Sequence, residues 1–373
     1  MKIGVPKDTA RHEHRIGLTP FGVSRLTAIG CEVFVERQAG EESRFADEDF
    51  VKAGAKIVHS ADEAYGRADI VCKVGTITSD EVRMMAPGAA VCGFMHMAVM
   101  PRETIAAIAE REITVLGWET VEDGTGSHPV LRAISEIAGH MAVHEAASLL
   151  KFESGGRGIV LGNIPGVPPP TFLILGAGVV GWTAARTALA CGAHVIMMDA
   201  DLEKLRRGME HGCAAAVTTV ATRRNLERYA PIADVLIGAV LVPGARAPYL
   251  VTEAMVKSMK PGSVILDISI DQGGCVETSR PTTPDNPTYK LHGVTHYCVP
   301  NMTANTPRAA SRAMTLAIIP FLDRMTEQGL DGVLRSDEGL ARGVCAHRGK
   351  IVSAAAARAL GVEPARLRDL LGA

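Results

Sequence analysis

The sequence predicts an α/β protein made of two Rossmann-like domains with mostly parallel sheets, joined by long helices. Three observations carry this reading. Apolar strand-like runs alternate with helix-like segments along most of the chain, the pattern of a parallel sheet covered on both faces. Residues 173–199, LILGAGVVGWTAARTALACGAHVIMMD, form a complete βαβ unit. The chain has 373 residues, too many for one ordinary core.

Within the βαβ unit, Leu173, Ile174 and Leu175 read as a short buried strand. Gly176, Gly178 and Gly181 give G-x-G-x-x-G, residues 179–190 continue as an Ala-rich apolar helix, and residues 194–198 form a second strand ending at Asp199. A strand, a glycine turn, a helix and a terminal acid in this order are the dinucleotide-binding fingerprint. Gly176 permits the tight turn, Gly178 lets a pyrophosphate approach, and Gly181 allows close packing of helix on strand. Free N–H groups at the helix start face the phosphates. Asp199 accepts hydrogen bonds from an adenosine ribose and repels a 2′-phosphate, which favours NAD over NADP.

Composition excludes several classes. Formal net charge is −2, which makes no electrostatic case for nucleic acid or an acidic membrane. Hydrophobic residues make up 47% and aromatics 4%, so the cores are expected to be aliphatic. The eight cysteines are scattered and none forms C-x-x-C. They read as reduced core thiols of a cytoplasmic protein, with no metal site. The opening MKIGVPKDTARHEHR lacks the apolar run of a signal peptide.

Taken in order, residues 2–6 read as a strand, 7–15 as a charged loop, and 19–30 as a helix. Strands are expected at 32–36, 56–58, 69–74, 90–96 and 114–119, with helices such as 61–67 and 102–111 between them. Residues 129–151 form a long helical pattern linking the domains. The Gly- and Pro-rich stretch 157–170 suits a protruding hairpin or loop. A charged helix at 202–211 and strands at 214–218, 234–239, 263–269 and 295–299 complete the nucleotide domain. Residues 301–325 begin with turn residues and become helical. The Ala- and Arg-rich tail reads as mostly helical and returns to the first domain. The domains are therefore expected at 1–128 plus 308–373, for substrate and catalysis, and at 129–307, for NAD.

In an open α/β sheet, ligands sit at the carboxyl ends of strands. Four polar residues fall there: Arg15 after the first strand, Lys73 near the end of DIVCKV, His96 at the end of AVCGFMH, and Asp271 after VILDISI. Each also has an ordinary structural reading. Arg15 suits a solvated surface, His96 a structural histidine, and Asp271 a cap for the turn at Gly273–Gly274. Lys73 is the odd one, since Lys is rarely buried without a partner.

Several stretches resemble the alanine dehydrogenase family, which is related to the NAD-binding subunit of the proton-translocating transhydrogenase. They are KIGVPK…HRIGLTP, DIVCKV, FMHMA, ISEIAGHMA, GRGIVLGNIPGVPPP, ILGAGVVG, LIGAVLVPGARAP, DISIDQGGCVETSRPTT and HYCVPNM, collinear over nearly the whole chain. The resemblance implies that Arg15 and Lys73 bind the substrate carboxylate and carbonyl, with Phe94, Ile134 and Asn301 also lining the substrate site. It implies proton transfer by His96 and Asp271. It implies NAD contacts at Gly176, Gly178, Val179, Val180, Gly181 and Asp199, with Ser135, Val240, Leu241, Asp271, Asn301 and Met302 around the nicotinamide and its ribose. It also implies a hexamer, with the hairpin near residue 165 at subunit contacts.

The chemistry of those residue types agrees. Arg grips a carboxylate through two parallel N–H bonds, and Lys adds a point charge that polarises a keto oxygen. Imidazole titrates near neutrality and suits proton shuttling. Some positions depart from the family pattern. Asn301-Met302-Thr303-Ala304-Asn305-Thr306-Pro307 stands where N-M-P-G-A-V-P is usual, and Pro300 where a small residue is. Ile134 replaces Met, His140 replaces Arg, His128 replaces an apolar residue, and Phe94-Met95 stands for Tyr-Leu. The added polar groups at His128, Asn305 and Thr306 penalise ligands that leave them unpaired. Two substrate readings stand: L-alanine, and a larger or polar amino acid or other amine-bearing acid. The rival functions are an opine- or saccharopine-type dehydrogenase, a transhydrogenase subunit with a membrane partner, and a non-catalytic nucleotide-binding protein.

Overall fold

The computed structural model describes residues 1–210, 212–240 and 247–372. The chain divides into two compact units, Met1–Ile134 with Ala304–Ala373, and Ser135–Thr303. In chain order the strands are β1 Lys2–Val5, β2 Glu32–Glu36, β3 Lys56–Val58, β4 Ile70–Cys72, β5 Ala90–Gly93 and β6 Thr114–Gly117, then β7 Thr171–Leu175, β8 His194–Asp199, β9 Val217–Val220, β10 Val235–Gly238, β11 Val264–Asp267, β12 Thr288–Leu291 and β13 Val294–Tyr297, and finally β14 Val344–His347 and β15 Lys350–Ile351.

The first unit carries an eight-stranded sheet in the order β15-β14-β6-β5-β4-β1-β2-β3. Strands β1 to β6 are parallel, and β14 and β15 are antiparallel additions at one edge. The second unit carries a seven-stranded sheet in the order β12-β13-β11-β10-β7-β8-β9, parallel except for β12. Both are α/β sheets of the expected class. The central strands IVC, AVCG, TVLG, VLIG and VILD are buried at every residue, as strands covered on both faces must be.

Local chemistry sets the element ends. Expected strands 69–74, 90–96 and 263–269 shorten to β4, β5 and β11, and their trailing residues leave the sheet. Two of them pass into 3-10 turns, Met97–Val99 and Ile268–Gln272. Lys73 and His96 therefore lie just beyond strand ends rather than within strands, and Asp271 lies beyond its strand as expected, on the 3-10 turn. The βαβ unit forms as read, with its helix at Val179–Ala190. Inside the second unit a Cβ on Gly139 would lie 2.6 Å from Thr183 Cβ and 2.7 Å from Val180 O, so only glycine lets the helix Pro129–Leu149 pack this closely on it.

Two expectations are corrected. The strand expected at 214–218 is β9, Val217–Val220, because its Thr and Val residues favour extended backbone and the small Ala214–Ala216 run does not. The tail is not all helix: β14 and β15 form a hairpin across Arg348 and Gly349, both left-handed at φ 45° and 76°. The same two-residue turn joins β12 and β13 through His292 and Gly293, φ 51° and 78°. Such turns need positive φ at both positions, which glycine supplies at the second. Residues 157–170 are an exposed loop with one isolated bridge, Ile164 to Val167.

Candidate active site

In the first unit the strand order reverses between β1 and β4, the kind of switch point where α/β sheets bind ligands. The segment after β1 crosses the end of β4. A Cβ on Gly17 would lie 2.3 Å from Cys72 O, and Asp8 Oδ2 accepts from the Gly75 amide at 3.1 Å. Arg15 is buried here. It donates from Nε to Glu13 Oε1 at 2.7 Å and from Nη2 to Oε2 at 2.6 Å. Lys73, 2% exposed, donates from Nζ to Glu81 Oε1 at 2.8 Å.

Glu81 is the hub of this half. Its Oε1 also accepts from the Tyr65 hydroxyl at 2.8 Å, and its Oε2 accepts from the Thr78 amide at 2.8 Å. Burial raises the Glu81 carboxyl, but the Lys73 charge and the hydrogen bonds from Lys73, Thr78 and Tyr65 outweigh it and hold the group below its ordinary value. Burial, then the neighbouring Glu81 charge, push the Tyr65 phenol far up, so it stays a donor. Each buried cation thus has its own carboxylate, which burial of a charge demands.

His96 follows β5 with a left-handed backbone, φ 44°. Its amide donates to Glu119 Oε1 at 2.7 Å and the Met95 amide to Oε2 at 3.2 Å. The imidazole Nδ1 stands 4.0 Å from Glu119, and the ring is 64% exposed. Strands β6, β5, β4 and β1 are neighbours, so Glu119, His96, Lys73 and Arg15 follow four adjacent carboxyl ends. Phe94 is buried, with its amide on Val74 O at 2.8 Å. Ile134 is half-buried and packs on the apolar core of the unit.

In the second unit the switch lies between β10 and β7. Gly176 has φ 102°, and a Cβ there would lie 2.3 Å from Ala239 O. A Cβ on Gly181 would lie 1.8 Å from Gly176 O, whereas one on Gly178 would meet nothing within 4 Å among the described residues. The helix Val179–Ala190 has no side-chain cap and no acid in its first turn. A close approach at Gly178 and an uncapped helix start fit the phosphates of a dinucleotide. Asp199 Oδ2 accepts from the Ala177 amide at 2.7 Å and Oδ1 from the Asp201 amide at 2.9 Å, which fixes its carboxylate at the end of β8.

Val179 is exposed and Val180 half-buried at the helix start, and the Val240 amide donates to Ser269 Oγ at 2.9 Å. Asp271 is exposed on its 3-10 turn, which ends at Gly273, φ 91°. Its Oδ1 accepts from the Asn301 amide at 3.1 Å, and Asn301 has φ 50°. Ser135 is half-buried, Met302 belongs to the core, and Leu241 lies outside the described residues. Two departures from the family pattern have structural partners: His140 Nδ1 meets Thr187 Oγ1 at 2.8 Å, and His128 Nδ1 meets Val121 O at 3.2 Å. Asn305 is exposed and Thr306 half-buried.

Sequence reasoning missed Glu13, Tyr65, Glu81 and Glu119. Glu81 carried a signal, since Thr78-Ser79-Asp80-Glu81 is a capping box and does form one. Glu119 sat at the end of an expected strand. All eight cysteines are free thiols, seven of them buried. Among the described residues no cluster of His, Cys, Asp and Glu is placed to hold a metal, and no helix is long and apolar enough to cross a membrane.

Fold and site together define a two-domain α/β oxidoreductase with a pyridine-nucleotide half. Family models described as alanine dehydrogenase/PNT, N-terminal and C-terminal domain, match residues 4–138 and 142–354. The alanine dehydrogenase of Mycobacterium tuberculosis is 40% identical over 368 residues, which cover 98% of this chain and 99% of that protein. A solved L-alanine dehydrogenase superposes with a TM-score of 0.91 at 39% identity, covering 97% of this chain and 99% of the other. A transhydrogenase from Sinorhizobium meliloti superposes at 0.82 with 27% identity, over 95% and 100%. The chain belongs to the alanine dehydrogenase/PNT family and is an alanine dehydrogenase-like enzyme.

Proposed function

We propose that this protein oxidises L-alanine to pyruvate and ammonia with NAD, and runs the reverse reductive amination. The observation that carries the reading is the row of strand ends β1, β4 and β5, which presents Arg15, Lys73 and His96, each tied to a carboxylate that fixes it.

Arg15, oriented by Glu13, binds the substrate carboxylate, and Lys73 polarises the carbonyl oxygen of the keto acid. NAD, held by the glycine turn and Asp199, would supply the acceptor for the hydride from Cα. Water then adds to the substrate imine, and the carbinolamine collapses to keto acid and ammonia. Each of these steps moves a proton, and His96 carries it. Asp271, held by the Asn301 amide, orients water or ammonia and stabilises the cationic intermediate. Gly176, Gly178, Gly181 and the helix start at Val179 and Val180 hold the pyrophosphate. Asp199 binds the ribose and selects NAD. Ser135, Val240, Leu241, Asn301 and Met302 serve the nicotinamide end, and Phe94 and Ile134 serve the amino acid. The first unit is the substrate domain and the second the NAD domain. The family resemblance supports a hexamer, and the free, mostly buried cysteines support a reducing, cytoplasmic setting.

A screen of NAD and NADP reduction across amino acids tests this. Alanine with NAD ranks first; a polar amino acid far ahead of alanine overturns the substrate. Arg15→Ala and Lys73→Ala lose turnover but keep cofactor affinity in NADH fluorescence titration. Loss of cofactor affinity in both overturns the assignment of roles.

A further inference from the structure

The amino ends of the same sheet in the first unit frame a cavity of about 600 Å³. Its floor includes His347 on β14, 1% exposed. Thr114 Oγ1 accepts from the Arg348 amide at 3.2 Å and lies 3.3 Å from His347 Nδ1. With its oxygen accepting from Arg348, the Thr114 hydroxyl has a proton to give to Nδ1, and in the tautomer that takes it the ring proton sits on Nε2. Among the described residues Nε2 has no hydrogen-bond partner: Asp331 Oδ1 stands 3.7 Å away, beyond bonding distance. A buried donor without an acceptor carries its full desolvation cost, so an acceptor in the cavity gains what the protein lacks.

The rim supplies charge. Asp331 is paired with the exposed Arg348. Arg335, also exposed, donates to the neutral carbonyl of Leu371, so among the described residues its charge is not met by a carboxylate. Ile70, Met325 and Leu330 add apolar wall.

We propose that this cavity is a second binding site, for a small carboxylate-bearing metabolite with an aliphatic body. One carboxylate oxygen accepts from His347 Nε2–H, and the anion's charge answers Arg335. The site is distinct from the amino-acid site proposed above: β4 separates Asp69 and Ile70, at the cavity, from Lys73, a length of roughly 10 Å. It does not depend on which amino acid the enzyme oxidises.

Calorimetric titration of the full chain without nucleotide, in a Lys73→Ala background, tests it with acetate, succinate and citrate as probes. At least one probe binds saturably with Kd below about 5 mM. Arg335→Gln, a surface change that leaves the melting temperature in place, weakens it about tenfold, and His347→Phe does the same where it folds. No saturable binding of any probe up to about 50 mM, or an unchanged Kd in Arg335→Gln, overturns the proposal. So does binding seen with Lys73 present and lost in Lys73→Ala.

Discussion

Glu81→Gln removes the charge that keeps Lys73 in the protein. The amide keeps one acceptor oxygen, so it serves the Tyr65 and Lys73 side or the Thr78 amide but not both, and the change removes the counter-ion of an ammonium that is 2% exposed together with one hydrogen bond. Breaking one side of a buried pair costs about 3–5 kcal/mol. The first unit holds about 200 residues, and each kcal/mol moves the melting of such a domain by about 2–4 °C, so the transition falls by about 6–20 °C. The pH dependence has a definite sign. The folded Glu81 carboxyl lies below its ordinary 4.5, so its contribution is present above pH 4.5 and is lost as pH falls through the folded value. The gap between native protein and variant therefore narrows on acidification. Calorimetry at pH 7 and pH 4 measures both effects. A double variant, Lys73→Met with Glu81→Gln, melts above Glu81→Gln alone, because no ion is left unpaired, yet it stays inactive. A shift within about 2 °C for Glu81→Gln, or a double variant less stable than the single one, refutes the pairing argument.

Other perturbations separate scaffold from site. Gly178→Ala places a methyl in open space, so its melting temperature holds while dinucleotide affinity drops; Gly181→Ala collides with Gly176 O at 1.8 Å and costs about 1–3 kcal/mol of stability. Melting curves and cofactor titration of the pair show the contrast. Asp199→Ala removes charged hydrogen bonds worth about 1.5–3 kcal/mol, which raises the Kd for NAD about 10- to 100-fold and narrows its lead over NADP, read by NADH and NADPH titration. His296 on β13 is held neutral: burial lowers its value from 6.5 to about 4, with its ring nitrogens on Thr278 Oγ1 and Val294 O. Between those values the unfolded chain binds more protons, so stability rises with pH and about 3 kcal/mol is lost as pH falls from 6.5 towards 4. His296→Asn flattens that part of a urea stability profile.

What was legible in the chain follows from how local the signal is. The βαβ unit declares itself, because its turn, helix and acid are contiguous and Gly181 answers a contact at Gly176, close by in the chain. Lys73 stood out as a charge inside an apolar strand. Its partner Glu81 is eight residues on, within a capping box that explains the residue without reference to Lys73. Glu119 was harder. Its bonds run to amides 23 and 24 residues earlier, and nothing local marks a carboxylate that serves another strand's main chain. β13 was read as the strand at 295–299, but its partner β12 and the hairpin β14–β15 were missed: β12 has no buried residue to mark a face, and β15 has only two residues. Their turns were visible only as His-Gly and Arg-Gly pairs.

The anchoring of His96 bears on how its role is tested. Glu119 grips the main chain of residues 95 and 96, leaving the imidazole a rotor on a fixed pivot. The pivot is a left-handed residue, a conformation that costs an ordinary L-residue roughly 1–2 kcal/mol and that asparagine tolerates. Alanine at 96 therefore mixes lost chemistry with a loosened pivot, whereas His96→Asn removes the ring and keeps the hinge seated. For this enzyme the asparagine variant is the clean blank.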